Sequence, residues 1–600
     1  MRSFLSAVML VIAVAVQAQV TTSSLSGKVT DTNNEAIIGA TVQAIHEPSG
    51  TMYGAITNVD GRYTIQGMRA GGPYKVEISY VGYQTATFSG VNLQLGETAN
   101  ISTKMQEASE LLEEVVILGK SGVDATKTGA AMSMNSKDIN RMPSISHGIA
   151  DVTRLNPQVS VTASGAMSFA GANNRYNSFQ IDGAMNNDNF GLTANGSNGG
   201  QAGTQPVSME TIEQIQVNVA PFDVRQSGFT GGSINAITKS GTNQFHGSVY
   251  GFGNNYNLIG SSYELMNGGT SSSYTEQKEY QAGFTVGGPI IKNKLFFFAN
   301  YEKANKTYPN ATGIGTAASN VDADEARKIM ETIQSMAAEQ GVTYNGSFTS
   351  PDVYTKSDKA GIKLDWNINN KNHASFRWSM VSAKQLNSVS SASTLNSSDY
   401  SYDFVSKTNT FIAELQSRLG DNLSNELRAS YVRVRDQRQP GAAFPMICIY
   451  NVGDGTLNIG NERSSMQNRL DQDIWSLTDN LTWYKGAHTF TFGTHNELYR
   501  FCNLFIQDYY GTYYYNSPED FYAGKINQYR HSNTLTAATG NNPLWEPTFS
   551  AGQLGFYAQD KWNVTDNFDL TYGVRMDIPL FLDEPMENAE FNKFANEKGW

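Results

Sequence analysis

From residue 243 onward, apolar and polar side chains alternate over segments of roughly ten residues. In Lys359 to Trp366, the residues Ala360, Ile362, Leu364 and Trp366 share one face, and Lys359, Gly361, Lys363 and Asp365 share the other. Asn567 to Ile578 repeats this, with Phe568, Leu570, Tyr572, Val574, Met576 and Ile578 set against Asn567, Asp569, Thr571, Gly573, Arg575 and Asp577. A period of two predicts strands. Charges on the second face are too costly for a dry core but suit a hydrated lumen or a wet internal interface, which leaves the apolar face to lipid. Eleven such strands are predicted, near 244–253, 279–288, 293–303, 358–368, 371–383, 408–419, 423–437, 473–484, 487–502, 553–563 and 567–578. Short turns, at Gly287 to Lys292, Ile368 to Lys371, Gly420 to Asn422, Lys485 to Ala487 and Asn563 to Asn567, alternate with long joins. That asymmetry belongs to membrane-spanning antiparallel barrels, and a soluble sandwich has no reason to keep it.

Upstream the pattern changes three times. Met1-Arg2-Ser3-Phe4 and the apolar run Leu5 to Val16, ending Val16-Gln17-Ala18, read as a signal peptide over residues 1–18 with cleavage after Ala18. Between 25 and 105, short strands at Leu25 to Thr30, Ala40 to Ile45, Arg62 to Gln66, Tyr74 to Val81 and Thr85 to Ser89 are separated by turns such as Asp60-Gly61, the spacing of a small β-sandwich. Residues 121–242 are rich in Gly, Asn, Ser and Ala. Helices are predicted there over Ser146 to Leu155, with Ile149, Val152 and Leu155 on one side, and over Ser208 to Glu213, before a strand Gln214 to Val219. A longer amphipathic helix is predicted over Asp322 to Gln340, its stripe formed by Ile329, Met330, Ile333, Met336 and Ala337.

Composition narrows the function. The 600 residues are 16% charged and 11% aromatic, with Tyr 30, Phe 29 and Gly 55, so the fold class is all-β dominated. A net charge of -12 disfavours nucleic acid as a partner. No interior apolar run is long enough for a membrane helix, which leaves strands as the means of crossing. None of the seven His stands in HExxH spacing, and His495-Asn496-Glu497 lacks the Cys pair a deaminase needs. Gly119-Lys120-Ser121 lacks the first glycine of a phosphate loop, whose place is taken by Glu114. No catalytic residue, metal site or cofactor is assigned, and no enzyme is expected.

Gly27-Lys28-Val29-Thr30-Asp31, Gly39-Ala40-Thr41-Val42, Thr57 to Tyr63 and Tyr80-Val81-Gly82-Tyr83 resemble the carboxypeptidase regulatory-like domain, a carbohydrate-binding-like sandwich without peptidase chemistry. Glu113-Glu114-Val115-Val116-Ile117-Leu118-Gly119 (113–119) resembles a Ton box, a segment whose backbone, at Glu114, Val115, Val116 and Ile117, can join another protein's sheet edge. Asn173 to Ala184, Ile212 to Val217 and Gly228 to Gly241 resemble the plug of TonB-dependent receptors. Asn186 to Leu192 and Val219 to Gln226 are similar to the Oar-like subfamily.

The resemblance implies a globular plug, 121–242, lodged in a barrel beginning at 243. It also implies an outer-membrane location with the sandwich and Ton box in the periplasm, and three partners: a TonB-type energy-transducing protein, outer-membrane lipid and an unidentified extracellular ligand. Asp182, Glu213 and Arg225 are expected to brace the plug against the wall and release it on gating. Tyr509, Tyr510, Tyr513, Tyr514, Tyr515, Phe521 and Tyr522 suit either a ligand mouth or an interfacial girdle. Cys448 and Cys502 both fall on the outer side, where they are candidates for a disulfide. Plugged transporters have about 22 strands, so eleven are about half, and residues 243–600 are expected to form part of a barrel that a longer chain completes. The function the resemblance implies is a receptor that binds the extracellular ligand and imports it through the plugged barrel on energy from the inner membrane; the alternative is an adhesion or surface-organising barrel that binds glycan or protein without transport.

Overall fold

The computed structural model describes residues 21–108, 115–118, 130–144, 146–162, 165–219, 221–259, 261–264, 270–273, 276–310, 312–387, 389–534, 542–565, 568–584 and 587–600. The expected signal peptide and Glu113, Glu114 and Gly119 lie outside them.

The first unit is a sandwich. One sheet has β1 (Thr22–Thr30) between β4 (Arg62–Arg69) and the short strands β7 (Thr98–Asn100) and β8 (Thr103–Lys104). The other runs in the order β3 (Thr51–Ile56), β2 (Thr41–His46), β5 (Gly71–Ser79), β6 (Ala86–Leu93) and β9 (Val115–Leu118). Leu25, Val29, Val42, Tyr74, Val76 and Ile78 from both sheets meet in the core, as alternating strands demand. Strand β3 was not anticipated. Tyr53 and Ala55 point inward while Met52 and Ile56 point out, so apolar residues occupy both faces and no alternation shows.

The plug sheet has the order β10 (Ala130–Asn135), β13 (Ile212–Val219), β14 (Gly232–Thr238), β11 (Ser178–Ile181) and β12 (Ala184–Met185). Ile215, Val217, Ile234 and Phe179 pack with Ile149 and Val152 on its apolar side. Gln214, Gln216 and Asn218 on the opposite side are also buried, because that side is covered by the other units. Three corrections concern helices. The first expected helix is only Ile149–Thr153, and Leu155 is 51% exposed. The second is a single 3-10 turn, Met209–Thr211, and the strand starts at Ile212. A further helix, Ser136–Arg141, is capped by the Asn135 side chain, which accepts from the Lys137 and Asp138 N–H groups.

Eleven antiparallel strands follow, each paired with the next: His246–Asn255, Lys278–Ile291, Leu295–Tyr308, Val353–Asn369, Asn372–Asn387, Tyr402–Arg418, Leu423–Pro440, Gln467–Lys485, His488–Ile506, Thr548–Thr565 and Phe568–Phe581. All eleven anticipated strands are present, most of them longer. The first short turn is tighter than expected. The strand carries Gly287, Gly288 and Pro289 on to Ile291, with a register shift after Pro289, and Asn293 turns the chain at φ 60°. The two faces differ as alternation requires. Ile362, Trp366 and Met576 point out, as does Val574 at 69% exposed, whereas Lys359, Asp365 and Arg377 are buried on the inner face. The sheet is open, with the first and last strands each paired on one side among the described residues.

The long joins build a second, smaller sheet at the end opposite the short turns, called the outer sheet, in the order Thr394–Asn396, Gly455–Ile459, Met446–Val452, Thr512–Tyr515 and Gln528–Arg530. The helix Ala323–Glu339, capped by Asp322, packs Ala326, Ile329, Met330, Ile333 and Ala337 on Leu395, Ile449, Val452, Leu457 and Ile459. Met336 departs from the expected stripe and is 55% exposed. Cys448 and Cys502 are both free. Cys448 pairs with Tyr514 in the outer sheet, while Cys502 sits opposite Asp471 in the barrel, so they face different neighbours and the disulfide candidate is not formed.

Candidate functional site

The hairpin between β11 and β12 turns in two residues, since Ile181 pairs with Ala184. Asp182 and Gly183 have φ of 47° and 72°, the left-handed pair of a type I′ turn and the reason Asp-Gly stands there. The Asp182 carboxylate accepts from the Thr238 N–H at 2.8 Å and the Thr238 hydroxyl at 2.6 Å. It also ion-pairs with the wall, at 3.0 Å to Arg377 and 3.6 Å to Lys363. Those two cations are register partners on the fourth and fifth barrel strands, and like charges placed opposite one another repel. The plug's carboxylate sits between them and offsets one of the two charges. Burial by itself would raise the Asp182 pKa, but Lys363, Arg377 and the Thr238 hydrogen bonds outweigh it and hold the group at about 2.

Gly183 has a second task. A Cβ there would sit 2.2 Å from Nη1 of Arg428, so only a bare α-carbon leaves room for that guanidinium. Arg428 is 2% exposed and is held by Glu414, its register partner on the neighbouring strand, and by Glu426 on its own face. The Thr21 hydroxyl donates to Glu414 at 2.8 Å and accepts from Arg428 at 2.8 Å, so the start of the sandwich also reaches this cluster. A separate plug contact is made by Ser208, whose hydroxyl donates to Glu302, a wall carboxylate already bound by Lys359 at 2.8 Å and Gln281 at 2.6 Å.

The three expected bracing residues take different places. Asp182 meets the wall. Arg225 instead forms a forked pair with Asp223 inside the plug, at 2.6 to 3.0 Å; its segment touches the wall through the backbone, where Val224 N–H donates to Gln559 at 3.2 Å and Val224 O accepts from Arg575 at 3.1 Å. Glu213 lies at the boundary between plug and sandwich. Burial raises its pKa against the opposing pull of Lys239, Lys363 and Arg69. A cavity of about 480 Å³ joins Arg69, Asp182, Glu213, Lys239, Lys363 and Arg377 in one charged space. Lys363, Arg377, Glu302 and Arg428 were missed from sequence as site residues. Each stands on the polar face of its strand, which was the available signal, but alternation does not say which of them meets the plug.

The sandwich closes against the plug and the short-turn rim. Gln214 donates to Leu93 O at 3.0 Å and accepts from Leu95 N–H at 2.8 Å, while Ala70, Leu95 and Ile237 form a small apolar cluster beside it. At the rim, Arg69 pairs with Asp365 at 3.2 Å, Asn367 donates to Thr51 at 2.9 Å, and Asn58 donates to Gly486 O at 3.3 Å.

In the outer sheet and beside it, Tyr514 is buried and Tyr509 and Tyr510 pack around it with Met446, Cys448 and Met466. Phe521 and Tyr515 join the core beneath the helix. Tyr513 packs on the exposed Tyr529 with ring centroids 4.7 Å apart, and Tyr522 is exposed.

Residues 237–323 and 307–598 match the family described as outer membrane beta barrel domain, and residues 24–106 match the carboxypeptidase regulatory-like domain. The chain is 28% identical over 265 residues to the TonB-dependent transporter Oar of Myxococcus xanthus, covering 42% of this chain and 24% of that protein. It is 24% identical over 274 residues to the TonB-dependent receptor SusC of Bacteroides thetaiotaomicron, covering 42% and 25%. The outer membrane transporter YddB from Escherichia coli shares the fold with a TM-score of 0.54 at 15% identity, over 75% of this chain and 56% of that one. The matches therefore span about a quarter of the two curated relatives, at 24% and 25%, and 56% of the solved structure.

Proposed function

We propose that this chain, which belongs to the outer-membrane β-barrel family of TonB-dependent receptors, captures an extracellular ligand and imports it past its plug on energy delivered from the inner membrane. Receptors of this family are transporters and not enzymes. The observation that carries the reading is the plug held against the eleven-stranded sheet by Asp182, Lys363 and Arg377, a seam of charges that water can solvate on either side once it opens. A TonB-type energy-transducing protein takes Glu114 to Ile117 as an added strand, because main-chain hydrogen bonds need little side-chain specificity. Tension on that handle then unseats the plug. On this reading the short-turn rim and the sandwich face the periplasm, and the outer sheet with its tyrosines faces the ligand.

The test is Val116→Pro, which removes a backbone donor from the handle. Uptake is read as depletion of compounds from spent medium by mass spectrometry, in cells with and without the transducing protein. The variant should insert normally and lose energised depletion entirely. Undiminished depletion in the variant would sink the handle. Cell-surface glycan or protein binding with no depletion in any strain would point instead to an adhesion or surface-organising barrel.

A further inference from the structure

Strands β6 and β9 run parallel, so the chain must return to the start of β6 before β9 can begin. It does so by way of the opposite sheet, where β7 and β8 lie parallel to β1. Residues 106–108 then come back to the loop that leads into β6. There the Gln84 N–H donates to Gln106 O at 2.8 Å, the Ala108 N–H donates to Gly82 O at 2.9 Å, and Tyr83 bridges Glu107. Six residues separate Ala108 from Val115. Val115 to Leu118 next pair one for one with Ala86 to Ser89. The other side of β6 is taken by β5, so without β9 it would be an edge strand, and an uncovered edge is a template for any extended segment.

We infer that the outer edge of β6 is a strand-receiving surface whose resident occupant is the handle of this same chain, so that the energy-transducing partner must displace the handle from the sandwich in order to take it. The inference rests on the reading of Glu114 to Ile117 as that handle. Two observations support it besides the pairing itself. The anchor at residues 106–108 delivers the handle beside β6 on a short tether, which gives the intramolecular pairing an effective concentration on the order of millimolar. The ladder is also short and parallel, four residues long, and parallel pairs are slightly weaker per residue than antiparallel ones. Docking is therefore favoured in the resting chain and open to exchange. The partner binds only the undocked fraction, and its apparent affinity falls in proportion. Both partners compete through the same main-chain groups, so docking and capture exclude one another.

Register partners on adjacent strands lie about 4.8 Å apart, within the span a disulfide bridges. The test is therefore the double variant T87C/V116C in the full chain, with Cys448 and Cys502 left in place and each single variant as control. Mild oxidation should join the two introduced thiols, identified by mass spectrometry of the unreduced peptides. The binding probe is the soluble periplasmic domain of the TonB-type protein from the same cell. The linked receptor should bind it at least tenfold more weakly than the same sample after reduction, with neither single variant changing on reduction. Failure of the two thiols to join would overturn the inference, as would equal binding before and after reduction. A synthetic peptide spanning residues 111–120 separates this idea from the one beneath it. If the peptide binds the probe while the linked receptor loses nothing, the handle stands and the docking falls. If the peptide does not bind, the handle itself is wrong.

Discussion

Where the plug meets the barrel wall its contacts are charged, with Asp182 between Lys363 and Arg377 and Ser208 on Glu302. Where it meets the sandwich the hydrogen bonds are neutral, made by the Gln214 amide on the Leu93 and Leu95 backbone beside Ala70, Leu95 and Ile237, with the half-buried Glu213 carboxyl at their edge. The two seams respond differently to the two ways of breaking them. Removing one partner from an ionic seam strands a buried charge and is costly, whereas parting both partners into a wet lumen lets water solvate each. A neutral seam gains little from water on parting. The wall seam is thus sensitive to substitution yet able to open, while the sandwich seam suits a joint that stays closed.

The sharpest way to break this comparison is Asp182→Asn. With Lys363 and Arg377 left facing each other, plug seating should weaken by about 3 kcal/mol, read as faster proteolysis of the plug and a lower urea midpoint. The pH dependence follows from the depressed pKa. The group sits at about 2 in the folded chain against an ordinary 3.8, so its contribution is full above pH 3.8 and fades as pH falls toward 2. That contribution is about 2 kcal/mol, and in Asp182→Asn this part of the acid transition should be missing. An unchanged acid profile would contradict the ionic seam.

Gly183→Ala comes next. It forces a side chain into left-handed backbone and against Arg428, whose carboxylate partners keep it from swinging away, and should cost about 2 kcal/mol. Gly82→Ala, with φ of 86° but open space around it, isolates the backbone share, about 1 kcal/mol. Equal losses at the two sites would mean that Arg428 yields freely. Gln214→Ala probes the neutral seam. It leaves one N–H and one C=O without their partner, for about 1 to 2 kcal/mol, and should speed hydrogen exchange at Leu95 without altering plug proteolysis. Glu213→Gln should have the smallest effect and the opposite sign. Burial raises this carboxyl, so its charge opposes folding, and the variant should be slightly more stable at neutral pH and indistinguishable from the parent in acid.

The barrel was readable because its two faces meet different media. Lys359, Lys363 and Asp365 alternating with Ile362, Leu364 and Trp366 leave one solution, and all eleven strands follow from it. The outer sheet was not readable. Thr394 pairs with Thr456, and Met446 with Thr512, in parallel and across long separations, and parallel pairing between distant loops leaves no local trace. The site divides the same way. Asp182-Gly183 announces its own turn, but nothing near it in sequence names Lys363 and Arg377 as its partners. Arg225 shows the limit of position alone, since its guanidinium turns back to Asp223, two residues away, and does not pair with the wall.

Joining the outer loops into one sheet changes how they come apart. The helix after the third barrel strand and the segments after the fifth, seventh and ninth share one apolar core around Ile329, Leu395, Ile449 and Phe521. Loops tethered only at their ends open independently, each with its own small free energy, whereas loops that share a ladder and a core open together. The outer face is therefore one cooperative unit. A ligand that contacts any one of the four loops perturbs the opening equilibrium of them all, and slow-exchanging amides in Gly455–Ile459 would register events at Tyr522 although the two lie in different loops.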